Sequence, residues 1–355
     1  SEGIYDTVKV YKSKKDAQEL CTLKGEEIAT DVLDECIDNG QKTMATRWYK
    51  LLELAPDGSK VRMWMSTAFK VDCDDRWSPK AIYKDVISNC GYVPPFTQMG
   101  GTTLEFAQKI LTPSWRLNAL WQSRAINYMI AEKGIEVVFC HHHFIDHSAH
   151  QFWNYALQKP NAEPEVEWQK QIDKTYEVAD EYIGTFLHLL DEGWTIIVTS
   201  DHAQVSPAHK PPLIGDMSGN VNAGLMSELG YTVLKKDENG NDLKEVDWSK
   251  TKAVAQQGND IFINIKDPNI NGGRGIVDPK DKYEVEEQII TDLYGYKSPE
   301  TGKRVIALAL RKKDAILLGY GGETAGDIFF ATAEGYNYDH CDPLSTCYGE
   351  GETSA

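Results

Sequence analysis

The stretch Gly134–Trp153, GIEVVFCHHHFIDHSAHQFW, constrains the fold more than any other part of the chain. Ile135–Cys140 is a short, nearly continuous apolar run of the kind that suits a strand buried on both faces. A run of histidines follows it. Asp146 and His150 are four residues apart, so a helix beginning here projects a carboxylate and an imidazole from one face. Oxygen and nitrogen donors on one face suit a zinc-like cation, which keeps a coordination position open for substrate when its site is catalytic.

The same pattern recurs. Thr195–Thr199, TIIVT, reads as a second buried strand and runs into Ser200-Asp201-His202. Strands are also expected at IFINI, ending at Ile265, and at DIFFA, residues 327–331, with His340 several residues beyond the latter. Long helices are expected over Ser114–Glu132, with Pro113 opening it, and over Glu165–Asp191 and Tyr283–Leu293. Helices alternating with short buried strands predict an α/β fold with an open, mostly parallel sheet flanked by helices, in which ligands bind beyond the carboxyl ends of the strands.

This α/β core is expected to occupy residues 106–355, with a loop-rich, substrate-side segment over 205–300. Residues 1–105 read as an additional β-rich inserted or cap region. Its firm signal is a hairpin, because Met44–Leu54 and Lys60–Ser66 flank Pro56-Asp57-Gly58, and Asp-Gly supplies the positive φ values of a tight turn.

Composition bounds the partners. A formal charge of -17 opposes general attraction to nucleic acid or anionic lipid, so a phosphate-bearing substrate needs local cations to recruit it. No apolar run approaches the roughly 20 residues of a membrane-spanning helix. Seven scattered cysteines without a C-x-x-C pair read as reduced thiols in a cytoplasmic protein. Composition is compatible with an oligomer.

Each motif has a plainer reading. Taken alone, Asp146 and His150 fit a surface or capping pair, and Asp201-His202 fits an N-cap followed by a helix-start histidine. Their coincidence at successive strand ends favours a shared metal site. His141, His142, His143 and His147 orient ligands from outside the coordination sphere or touch substrate; His209, in a Pro-rich loop, reads equally as substrate contact or plain loop. His188 reads as a structural residue on an apolar helix face, and Phe152, Trp153 and Tyr155 read as core packing ahead of pocket wall.

Asp146-His-Ser-Ala-His150, Ser200-Asp201-His202-Ala203, the stretch from IFINI to DIFFA with Arg274-Gly275-Ile276-Val277, and Ser298-Pro-Glu-Thr-Gly302 stand in an order that resembles the type I phosphodiesterase/nucleotide pyrophosphatase family of the alkaline phosphatase superfamily. The resemblance runs from about residue 115 to about residue 340. It implies an alkaline-phosphatase-like fold and hydrolysis of phosphodiester or nucleotide-like pyrophosphate bonds in a small phosphate ester. It further implies two divalent metal ions, zinc first, with manganese or magnesium as alternatives.

Carried over by position, Asp146 and His150 hold one metal together with His340, and Asp201 and His202 hold the other. Asp339-His340-Cys341 and Ala203 depart from the family's glycines at those places. The family's further Asp ligand and its Thr or Ser nucleophile have no match before residue 115. The catalytic nucleophile is therefore unassigned, the chain reads as an internal piece of a longer protein, and this piece alone is expected to be impaired in turnover. In the intact enzyme the resemblance implies attack by the Thr or Ser on phosphorus, a covalent phospho-enzyme, and release by water. Phosphomonoesterase, phosphonate hydrolase, mutase or sulfatase activity, and a non-catalytic metal-binding or interaction module, stand as alternatives.

Overall fold

The computed structural model describes residues 4–15, 17–95, 103–156, 166–203, 221–222, 224–256, 259–299, 301–333 and 336, with backbone alone at 150, 151, 153–156, 221, 222, 244 and 271. The chain forms two compact units, Ser1–Asp201 and His202–Ala355.

The first unit begins with an antiparallel pair, β1 (Thr7–Tyr11) and β2 (Glu19–Lys24). Two longer strands, β3 (Ile28–Asp38) and β4 (Gln41–Leu54), and the short β5 (Val61–Met65) follow in the order β3-β4-β5, with β6 (Phe69–Lys70) also paired to β4. Asn39 and Gly40 turn β3 into β4 with φ of 48° and 80°, the doubly positive geometry that Asn-Gly tolerates best. The hairpin expected at Asp57-Gly58 forms between β4 and β5, with Leu54 opposite Val61 and Gly58 at φ 74°.

Alternation along β4 buries both of its faces. Tyr49 and Leu51 pack with Leu23 and Val32. Trp48 joins Trp64, Phe106, Ile110, Leu111, Phe144, Phe152 and Trp168 in one core, so the sheet and the helices that follow it are packed together.

Those helices are α1 (Ala81–Cys90), the short α2 (Leu104–Phe106) continuing through a π-turn at Ala107–Leu111 into α3 (Thr112–Lys133), then α4 (Phe144–Ala156) and α5 (Val166–Gly184). Pro113 sits in the first turn of α3, directly after the π-turn. A 3-10 turn at Leu187–Leu190 follows α5, and His188 lies exposed on it rather than packed on an apolar helix face.

The two apolar runs expected to be buried strands are a correction. Residues 135–140 and 195–199 belong to no strand ladder among the described residues, and Val137, Phe139, Ile197 and Val198 are 85%, 97%, 82% and 68% exposed. An apolar run specifies only that its side chains would gain by burial. The neighbouring strands that would bury it are a property of the rest of the fold.

The second unit holds β7 (Val221–Asn222), α6 (Gly224–Glu228), β8 (Leu234–Lys236), β9 (Asp242–Val246), β10 (Ala253–Gln256), β11 (Asp260–Ile263), α7 (Lys282–Gly295), β12 (Ile306–Arg311), α8 (Lys312–Ala315) and β13 (Ile328–Thr332). Its sheet has the order β12-β13-β11-β10-β7. Ile289 and Leu293 of α7 pack on Ile306, Ile328 and Phe330 of the sheet.

Strand direction also departs from expectation. Every strand ladder among the described residues is antiparallel, and Ile265 with Val277 forms an isolated parallel bridge. The reason is visible at α7. It connects β11 to β12, which run in the same direction, as a helical crossover requires, but β13 lies between them and runs opposite to both.

Candidate metal centre

His143 ends the irregular segment that precedes α4, and its carbonyl accepts the amide of His147 at 3.0 Å, which makes it the N-cap. Phe144 then enters the core fully buried and stacks on Trp115 of α3, ring centroids 5.4 Å apart at 14°. Trp115 serves as a common wall, because His142 and His143 both present to it in edge-on geometry at 6.4 Å, and the His147 ring lies 6.1 Å away. On the α5 side, Tyr182 stacks on His142 at 4.8 Å and 20°, and its hydroxyl donates to Cys140 Sγ at 3.4 Å. Trp115 and Tyr182 thus set the rings of the histidine segment. The sequence carries no signal for this, since both fall at spacings indistinguishable from core packing.

Asp146 occupies the first turn of α4. The His143 Nε2–H donates to its Oδ2 at 2.6 Å. The two side chains are 48% and 23% exposed, so the pair is open to solvent on one side. Because residues 144–156 are helical, His150 falls one turn beyond Asp146 on the same helix. The donor set of carboxylate and imidazole, with a hydrogen-bonded partner behind the carboxylate, fits a divalent cation of the zinc class.

The surrounding histidines differ electrostatically. Burial, and secondarily the charges of His141 and His143, push the His142 imidazole down to about 4, and its buried Nε2 has no hydrogen-bond partner among the described residues. Burial and the bond to Cys140 push the Tyr182 phenol up. His141 is exposed, with its carbonyl accepting from Gln122 Nε2 at 3.3 Å.

Asp201 and His202 lie exposed in the irregular segment after Trp194, Asp201 at a bend, and the division between the two units falls between them. The His150 side chain, His209 and His340 lie outside the described residues. Among the described residues no group of three or more His, Cys, Asp or Glu side chains is gathered to hold a metal; the pair brought together is Asp146 with His143. Phe152 is fully buried and stacks on Trp168 at 4.7 Å, so it packs the core; Trp153 and Tyr155 side chains lie outside the description. A cleft of about 570 Å³, lined by residues that include Ile28, Arg116, Leu117 and Lys170, contains none of the expected ligands.

Residues 12–352 match the sequence model of the type I phosphodiesterase / nucleotide pyrophosphatase family, and the chain belongs to that family, within the alkaline phosphatase superfamily. Membership makes it a phosphoesterase-type hydrolase by class, and the family generally uses divalent metals, typically zinc. Comparison with curated proteins and with solved structures returned no significant match.

Proposed function

We propose that the protein hydrolyses phosphodiester or nucleotide-like pyrophosphate bonds in a small substrate, through a two-metal site and a covalent phospho-enzyme. The observation that carries this reading is the family membership over residues 12–352 together with α4, which sets Asp146 and His150 one turn apart. Asp146, His150 and His340 are the proposed ligands of one metal, Asp201 and His202 of the other. When bound, two divalent cations supply Lewis acidity and offset the negative charge of the phosphoryl group. That matters in a chain whose own charge of -17 repels phosphate.

The ligands act as deprotonated donors, a carboxylate and neutral imidazoles, so metal affinity weakens as acid protonates them. His141 and His209 are proposed to touch substrate or support ligands. Residues 1–105 are proposed as an inserted or cap region, and 205–300 as the substrate-side segment of the core. A cytoplasmic setting is proposed from the scattered cysteine pattern of the sequence. No helix among the described residues is long and apolar enough to cross a membrane.

The test is metal analysis of the full-length protein combined with hydrolysis of bis-p-nitrophenyl phosphate. Asp146→Ala and Asp201→Ala are each expected to lower both metal content and turnover at least about 100-fold in rate. Unchanged hydrolysis in both variants overturns the reading.

A further inference from the structure

We propose that His143 is a positioning residue for the metal-binding carboxylate of Asp146, an inference that rests on the reading of Asp146 as a ligand. The two residues occupy the N-cap and third positions of α4, the places that a capping box uses, and the helix start fixes their separation. In a capping box the third-position carboxylate reaches back to the backbone N–H of the N-cap. Here the N-cap imidazole comes forward instead and donates Nε2–H to Asp146 Oδ2 at 2.6 Å, a short, charge-assisted bond.

The imidazole is itself held. Trp115 meets it edge-on at 6.4 Å and 89°, and the His141 ring lies 5.2 Å from it. An aspartate has a carboxyl torsion that is broad and roughly two-fold, so a free side chain samples many presentations of its oxygens. A donor fixed on Oδ2 selects one of these, which spares metal binding part of the ordering cost and orients the carboxylate plane. His143 is half exposed, so its ring adds little to the core; the contact to Asp146 is its specific role.

The test compares zinc affinity and stoichiometry, by competition with a chromogenic chelator, for the full-length protein and its His143→Ala, His143→Gln and Asp146→Ala variants, with far-UV circular dichroism melts alongside. His143→Ala is expected to weaken one zinc site about 10-fold to 100-fold while both equivalents still bind and the melting curve is unchanged. His143→Gln, whose amide N–H can replace the donor, is expected to recover most of that affinity. Two results overturn the proposal: affinity in His143→Ala equal to the parent, or loss of a whole zinc equivalent, which makes His143 a ligand. Asp146→Ala binding both equivalents at parental affinity instead removes Asp146 from the metal site, and the function proposed above fails with it.

Discussion

Lys50 donates its ammonium across 2.7 Å to the backbone carbonyl of Lys109, the carbonyl to which Pro113, four residues on, has no N–H to offer. A strand residue, 4% exposed, thereby reaches a backbone carbonyl of the π-turn. Lys50→Met is expected to destabilise the protein by about 1–2 kcal/mol, the cost of removing a part-buried, charge-assisted hydrogen bond. Pro113→Ala, which restores an N–H, should reduce that loss in a double-mutant cycle read by urea unfolding. Equal losses from Lys50→Met in both backgrounds would show the coupling absent.

The same lysine has a pH signature. Burial holds its pKa below the ordinary 10.5, against the opposing effect of Glu26. The unfolded chain binds this proton more tightly than the folded one, so stability rises with pH from the lowered value up to about 10.5. Lys50→Met should abolish that alkaline rise while leaving the acid limb of the profile intact.

His142 governs a window on the acid side. Its pKa falls from 6.5 to about 4 on folding, chiefly through burial. The folded state excludes a proton that the unfolded state takes up, so stability is complete above about 6.5 and declines as pH drops toward about 4. The ceiling of this loss is roughly 3 kcal/mol, from about 1.4 kcal/mol per unit. His142→Phe keeps a ring against Tyr182 and should flatten the decline; unfolding free energies at several pH values, parallel for parent and variant, would contradict the assignment.

Gly275 permits the parallel bridge of the second unit. A Cβ built there lies 2.0 Å from the Ile265 carbonyl oxygen, while Ile276 N and Val277 N donate to the Asn264 carbonyl at 2.9 and 3.0 Å. Gly275→Ala must separate these segments and is expected to destabilise by about 3 kcal/mol or more, checked by thermal melting.

Charge in that unit is concentrated where α7 meets the sheet. Glu286, 7% exposed, lies 3.1 Å from Lys282 and 3.3 Å from Arg311, and Lys282 also pairs with Asp327 at 2.7 Å. The Arg311 guanidinium stands 4.0 Å over the Tyr283 ring. Glu286→Gln leaves Lys282 with Asp327 and Arg311 with Glu287, so it should cost about 1–2 kcal/mol, and a neutral result in calorimetry would show that Glu286 contributes nothing to this network.

How far the sequence could be read depended on whether a property is local. The four-residue spacing of Asp146 and His150 is local and becomes one helical turn once the segment is helical, as α4 makes it. Local too are β11, α7, β13 and the Asp57-Gly58 hairpin, each marked by its own periodicity or turn residues. Strand direction is not local, because inserting β13 between β11 and β12 changes every pairing without altering any of the three sequences. Burial at Val137 and Ile197 is not local either, since the run contains the appetite for a cover and none of the cover. At the site, His143 could be ranked no higher than its neighbours by sequence, because its bond to Asp146 depends on the helix starting at Phe144 rather than one residue later or earlier.

The exposed runs at 137–139 and 197–198 also bear on how the protein behaves in concentrated solution. Exposed β-branched and aromatic segments in no ladder among the described residues are templates on which identical molecules can stack in register, the first step toward cross-β assembly. Glu136 on one side, and Asp191 with Glu192 before Trp194 on the other, place like charges beside each run, where stacking would bring copies of the same carboxylate together at a spacing of about 4.8 Å. Repulsion between these carboxylates is expected to oppose stacking and to weaken in high salt or on acidification, the conditions under which turbidity and thioflavin binding should first rise.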